Sequence, residues 1–465
     1  MGKKIISNKT ISVYILAFII AASLLFSSGC GLLSSKVEDT GEDVVQEEEN
    51  SIAEEELSPG LITTITLWDC LEPRERMALM GSRDKFLSAH RDINIETRHF
   101  RSQEELQDQF EAASLAGAGP QLLLLDFDGV HRLAPANVVR EIVDEADYGS
   151  VLNGLEEISA SNGKNYIVPF RAYDFLMLFY NKEIVEDVPD DFEEVFSYIQ
   201  QMQQPENTEE KAFGFLLNES EADWIIPFIG GYNGWIIDYA SNSLALGSQA
   251  MQKTLEFLDY AYNQENLLQG GLEYGEINEL FKEGSAHMII DQYSTTQEYI
   301  DSGINLGIAK IPRVWGEAKY PTPNISGLGF MININTYGKQ LEGAREFIGY
   351  MLTGDIQAGW NDNTSTIPAL ADPGIIDDPL LKMAFEQAEI CRGKPYSQLI
   401  MIIRNAISDN VKSMLAGDIV PAEAALKIQE DAIRLRSGTL PLKKQEEGQL
   451  PENTQEDKEI PSNEK

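Results

Sequence analysis

From residue 61 onward, apolar residues alternate between two spacings. Leu61–Trp68 (LITTITLW) is rich in β-branched residues and predicts a strand. A segment carrying Met77, Leu79, Met80 and Phe86 places apolar side chains three and four residues apart and predicts a helix. Ile93–Glu96 predicts a short strand. Glu104–Ala116 predicts a helix ended by Gly117 and Gly119. Leu122–Leu125 is wholly apolar, as expected of a strand buried on both faces of a parallel sheet. The order β-α-β-α-β predicts an open α/β sheet, with ligands outside the carboxyl ends of its strands. Trp68-Asp69 and Asp126-Phe127-Asp128 lie at such ends. The second half is more helical: Phe192–Gln203, Ser248–Asn263, Ala344–Leu352, Leu399–Leu415 and Pro421–Leu435 each carry an apolar stripe.

The amino end has a different pattern. Lys3, Lys4 and Lys9 precede an uncharged apolar run from Ile11 to Phe26, followed by Ser27, Ser28, Gly29 and Cys30. A basic start, a short apolar stretch and small residues at the cut predict an export signal over 1–29. The small residues before Cys30 resemble the lipobox of bacterial lipoproteins. That resemblance implies a diacylated Cys30 and a chain held by lipid on the extracytoplasmic face of the cell membrane. Ser27 stands where that pattern usually has Leu. Two acyl chains anchor stably where one does not.

Residues 30–60 hold Glu47, Glu48, Glu49, Glu54, Glu55 and Glu56 among Ser, Thr and Gly, which predicts a disordered, extended linker. Residues 438–465 predict a disordered tail. About 370 to 380 residues remain to fold, above the size at which one core divides, so two lobes are expected. The net charge of -39 excludes a nucleic-acid binder, which needs a basic stripe. Cys70 and Cys391 are the other thiols, and nothing in the sequence decides whether they pair.

No GK[ST] loop, GxSxG, HExxH or GxGxxG occurs. His90, His99, His131 and His287 share no spacing, and DFDG at 126–129 lacks the remaining ligands of a calcium loop. No cofactor and no metal site are expected. Trp360 reads as a core residue.

Eight segments follow one another along the chain: ITLWDC at 65–70, ASLAGAGPQLLLL at 113–125, KNYIVPFRAYDFLMLFYNKEIV at 164–185, FKEGSAHMII at 281–290, SGLGFMININ at 326–335, the segment 344–360, Ile367-Pro368-Ala369, and LAGDIVPAEA at 415–424. Together, in this order, they resemble the family 1 extracellular solute-binding proteins, the sugar-binding lipoproteins of ABC importers. The resemblance implies a periplasmic-binding-protein-like fold: two α/β lobes joined by a multi-strand hinge, with a ligand cleft between them. Residues 61–172 and 303–334 would form the first lobe, and 173–302 and 335–437 the second. The chain would cross near Tyr173-Asp174, near Asn305 and near Asn333–Asn335.

A sugar site needs planar polar groups for hydroxyls and flat aromatic faces for pyranose rings. The loops where the resemblance places a ligand supply Trp68, Asp69 and Glu72; Asp126, Phe127 and Asp128; Arg171, Tyr173 and Asp174; Glu221, Asp223 and Trp224; Asp291 and Tyr293; Ser326; and Arg404. Tyr293 takes the place of the family's stacking aromatic, and Ile400 stands where a ligand-stacking Trp occurs.

The resemblance implies a binding protein and not an enzyme: a monomer that takes a sugar or oligosaccharide to an ABC permease. Alternatives are a receptor for a sensor kinase and a binder of a cationic solute such as a polyamine or amino sugar, because acids outnumber bases on the cleft loops. A retaining glycosidase using Asp126 and Asp174 would need its carboxyls about 5 to 5.5 Å apart, which nothing in the sequence predicts.

Overall fold

The computed structural model describes residues 62–143, 149–203, 212–361, 364–370 and 378–442. The export signal, Cys30, the linker over 30–60 and most of the 438–465 tail lie outside the described residues.

The first lobe begins β1 (Thr63–Asp69), α1 (Pro73–Ala89), β2 (Ile93–His99), α2 (Gln103–Leu115), β3 (Leu122–Asp126), α3 (Asp128–Leu133), α4 (Asn153–Ser159) and β4 (Val168–Tyr173). The chain then enters the second lobe as β5 (Leu176–Asn181), α5 (Phe192–Met202), α6 (Ala222–Gly231), α7 (Gln249–Asp259), α8 (Tyr274–Lys282), β6 (Met288–Gln292), α9 (Thr296–Asp301) and β7 (Leu306–Ala309). It returns to the first sheet as β8 (Asn324–Ile332), α10 (Gly338–Met351), α11 (Gly354–Asn361), β9 (Ile367–Pro368), α12 (Pro379–Ala388) and β10 (Arg392–Gly393). Two helices finish the chain, α13 (Ser397–Leu415) and α14 (Pro421–Arg436).

The larger sheet has the order β9-β4-β8-β3-β1-β2, with β10 also paired to β8. β1 runs parallel to β2 and β3, and β8 is antiparallel to β3 and β4. In β3, Leu122 and Leu124 enter one core cluster and Leu123 and Leu125 another, because successive side chains leave opposite faces. The all-apolar run is therefore buried on both sides, as its composition predicts.

The smaller sheet is β6-β5-β7. Its Leu176, Leu178, Met288 and Ile290 meet a core built with α5, α6, α7, α13 and α14. Its opposite face, with Met177, Phe179 and Ile289, packs into a cluster that also holds Leu123 and Leu125.

Three segments cross between the sheets: 174–175, 310–323 and 394–396. The first lies where the sequence places it. The other two do not. Asn305 directly precedes β7 within the smaller sheet, so the chain crosses only after Ala309. Asn333–Asn335 leads into α10, which packs on β1. A Cβ at Gly343 would lie 2.9 Å from Ile65 and 3.3 Å from Ile93. Residues 338–361 thus belong with the first sheet, and only α13 and α14 of the 335–437 segment complete the second core. Cys70 and Cys391 are both free thiols, so no disulfide joins them.

Candidate functional site

A polar network gathers where the chain passes between the sheets. Asp126 closes β3, and its carboxylate accepts the backbone N–H of Asp128 at 2.7 Å and the hydroxyl of Tyr173, the last residue of β4. Ser326 lies opposite Tyr173 in the strand register. Asp174 follows with φ of +65°, a left-handed conformation that aspartate tolerates better than most residues and that often marks a functional position. Its Oδ2 is 2.5 Å from Nζ of Lys394, which follows β10.

From the second lobe, Arg404 on α13 grips Asp223 in the first turn of α6. Its Nε donates to Oδ1 at 2.9 Å and its Nη2 to Oδ2. This fork-to-fork pairing fixes both groups in one plane. Glu221 precedes α6 at its N-cap position.

These carboxyls are held in different states. Burial raises Asp126, and Tyr173 only partly offsets it. Burial also raises Glu75 and Glu221. Burial acts on Asp174 in the same sense, but Lys394 and Arg404 overcome it and leave Asp174 below the ordinary carboxylate range. Tyr173 is pushed well above the usual phenol value, first by burial and then by Asp126. The site therefore sets Asp174, held below the ordinary carboxylate range, beside Lys394, Arg404 and three acids that burial raises.

The structure brings together Asp126, Tyr173, Asp174, Ser326, Glu221, Asp223 and Arg404. Apart from Asp128, whose N–H reaches Asp126, the other sequence candidates are engaged in contacts of their own. Arg171 is fully buried, and its five N–H groups are engaged by protein oxygens. Nε donates to Thr366 Oγ1 at 2.9 Å, Nη1 to Gln357 Oε1 at 2.8 Å and to its backbone oxygen at 3.4 Å, and Nη2 to Thr366 O and Asn361 Oδ1. Burial drops its pKa to about 9. Arg171 is a structural strut with no donor left for a solute.

Asp291 is also fully buried. It accepts from Tyr274 at 3.0 Å, Thr295 at 3.1 Å, the Gln292 N–H at 2.8 Å and the Tyr299 hydroxyl. Asp69 is buried between Arg76 and His99, both at 2.7 Å. Glu72 forms a capping box with Glu75 at the start of α1. Trp224 donates its indole N–H to Ile290 O at 2.7 Å and lies in the second core. Trp68 and Phe127 are core residues of the first lobe, Trp68 against Phe100. Trp360 is buried, as expected. Tyr293 is partly exposed and stacks on Phe175 with ring centres 5.2 Å apart. Asp128 accepts Ser397 N–H at 2.7 Å and its Oγ–H at 3.0 Å.

Lys394 and Glu75 are additions that the sequence reading missed. Lys394 lies between the segments that carry the family resemblance. A lone lysine beside Pro395 shows no pattern until the fold sets it against Asp174.

Two interleaved α/β lobes meeting at a polar seam define a two-lobe solute-binding protein. The chain belongs to the bacterial extracellular solute-binding protein family, whose model matches residues 82–381. It is a substrate-binding protein and not an enzyme. It is 23% identical over 391 residues to a maltotriose-binding protein of Pyrococcus abyssi, covering 80% of this chain and 83% of that one. It is 22% identical to a galactooligosaccharide-binding protein of Bacillus subtilis, covering 68% of this chain and 77% of that one. It is 23% identical to a maltooligosaccharide ABC transporter solute-binding lipoprotein of Streptococcus pneumoniae, covering 72% and 80%. Among solved structures, it resembles an extracellular solute-binding protein of Staphylococcus aureus in complex with maltose, with TM-score 0.71 and 19% identity over 82% of this chain and 99% of that one. A cyclo/maltodextrin-binding protein complexed with maltotetraose gives TM-score 0.69 and 19% identity, over 83% and 100%. These structural likenesses establish the two-lobe α/β fold.

Proposed function

We propose that the protein captures a sugar or oligosaccharide between its lobes and delivers it to the permease of an ABC importer. It acts as a monomer, held to the extracytoplasmic face of the membrane by lipid on Cys30. The observation that carries this reading is the convergence of Asp126, Tyr173 and Asp174 from one lobe with Asp223 and Arg404 from the other, beside Lys394. Carboxylate and guanidinium forks match paired hydroxyls, which both donate and accept. The sugars in the names of the relatives support the same class.

One feature favours a cationic solute instead. Glu75, Asp126, Asp174, Glu221 and Asp223 outnumber the cations that act on them, Lys394, Arg404 and the fully engaged Arg171. A thermal-shift panel of maltose, maltotriose, galactooligosaccharides, glucosamine and spermidine separates the two readings. A ligand at a hundred times its Kd stabilises the fold by about 2.7 kcal/mol. Stabilisation by spermidine alone would replace the sugar reading, and no shift with any sugar would reject it.

A further inference from the structure

α13 is a 19-residue helix, and its own sequence caps its start poorly. Tyr396 occupies the N-cap position with no side-chain cap hydrogen bond, and the first turn holds no acid. A helix start leaves N–H groups without intrahelical partners, and Ser, Thr, Asp or Asn at the cap normally satisfies one. Here the oxygen comes from elsewhere. Asp128, at the start of α3 in the first lobe, accepts both the Ser397 N–H at 2.7 Å and its Oγ–H at 3.0 Å. One turn further along α3, His131 stacks on Tyr396, with ring centres 3.6 Å apart and planes 9° from parallel. The body of α13 packs in the core of the second lobe.

Ser397 and Arg404 are seven residues apart, so they share one face of α13 two turns apart. The first turn is gripped by Asp128 of the first lobe, and the turn that carries Arg404 by Asp223 of the second lobe. We propose that Asp128 is a positioning residue that couples lobe closure to α13: it supplies from the first lobe the cap that α13 lacks, so parting the lobes uncaps the helix that presents Arg404. The cap biases the ligand-free protein toward the closed arrangement, because any interaction present in one state only shifts the population by its own free energy. The inference concerns the ligand-free protein, so it stands whether the solute is a sugar or a cation, and its test needs no ligand.

The test uses Asp128→Ala without ligand, with small-angle scattering for the radius of gyration and hydrogen exchange for the Ser397 amide and its neighbours. The expected result is a larger radius and about fivefold or faster exchange at the start of α13. Adding Tyr396→Ser gives the helix a cap from its own lobe. This double variant is expected to recover slow exchange while the radius stays expanded, a split that a merely structural role for Asp128 would not produce. Ser397→Ala, which keeps the backbone bond, serves as a milder variant with smaller changes in the same direction. An unchanged radius in Asp128→Ala overturns the coupling. Unchanged exchange overturns the cap.

Discussion

Nζ of Lys394 lies 2.5 Å from Oδ2 of Asp174, and the two residues sit on different crossings between the lobes. The pair ties 174–175 to 394–396 at the seam where the solute is proposed to bind. Burial alone would raise Asp174, yet Lys394 and Arg404 hold it below its ordinary value. A carboxylate lowered in this way stabilises the fold above its unfolded pKa of about 3.9 and stops doing so as pH falls through the lower folded value.

Lys394→Met should therefore be less stable than the wild type at pH 7, by an amount that is flat down to about pH 5. The gap should close at lower pH as Asp174 takes up a proton. Urea midpoints from pH 7 to pH 3 check this. A gap that persists unchanged into acid would mean that Lys394 acts through packing.

Arg171→Ala should destabilise the protein by roughly 3 to 5 kcal/mol, because it strands the buried oxygens of Gln357, Asn361 and Thr366. Solute affinity, measured by calorimetry at a temperature where the variant is folded, should change little. A large loss of affinity with intact stability would return Arg171 to the ligand site.

Asp291 has the opposite sign from Asp174. Burial raises it to about 6, despite the hydrogen bonds from Tyr299, Gln292, Tyr274 and Thr295 that pull the other way. Its protonated form is favoured by the fold, so this contribution is complete below about pH 4 and lost as pH rises through about 6. Stability relative to Asp291→Asn should rise as pH is lowered from 7 to 5. Parallel stability curves for the two proteins would show that Asp291 does not titrate in that window.

Asp174→Ala should weaken solute binding about ten- to a hundredfold, the loss expected for hydrogen bonds to a charged group. Calorimetry with whichever panel compound stabilises the wild type gives the measurement. Affinity within about twofold of the wild type, with a lowered melting temperature, would make Asp174 a hinge residue only.

The local pattern was readable where one segment carries its own answer. The β-branched run at β1 and the all-leucine core of β3 need no partner to be recognised as strands. The amphipathic stripe of α10 predicts a helix but not the sheet it covers, because a stripe does not name its partner. Only the fit of Gly343 between Ile65 and Ile93 settles it. The site divides in the same way. Asp126, Tyr173, Asp174, Asp223 and Arg404 could be carried over from a resemblance. Arg171 and Asp291 look identical to them in sequence, since a polar residue at a strand end does not disclose who satisfies it. Their partners come from 357–366 and 274–299, and Lys394 meets Asp174 from 220 residues away.

The chain visits the second lobe, leaves it, completes the first, and only then returns with α13 and α14. Until those helices arrive, Leu176, Leu178, Met288 and Ile290 lack part of their cover. A chain threaded from its amino end through an export channel would deliver that cover last. The second lobe can mature only when nearly all of the described polypeptide is available, so the order of the sequence itself delays its compaction.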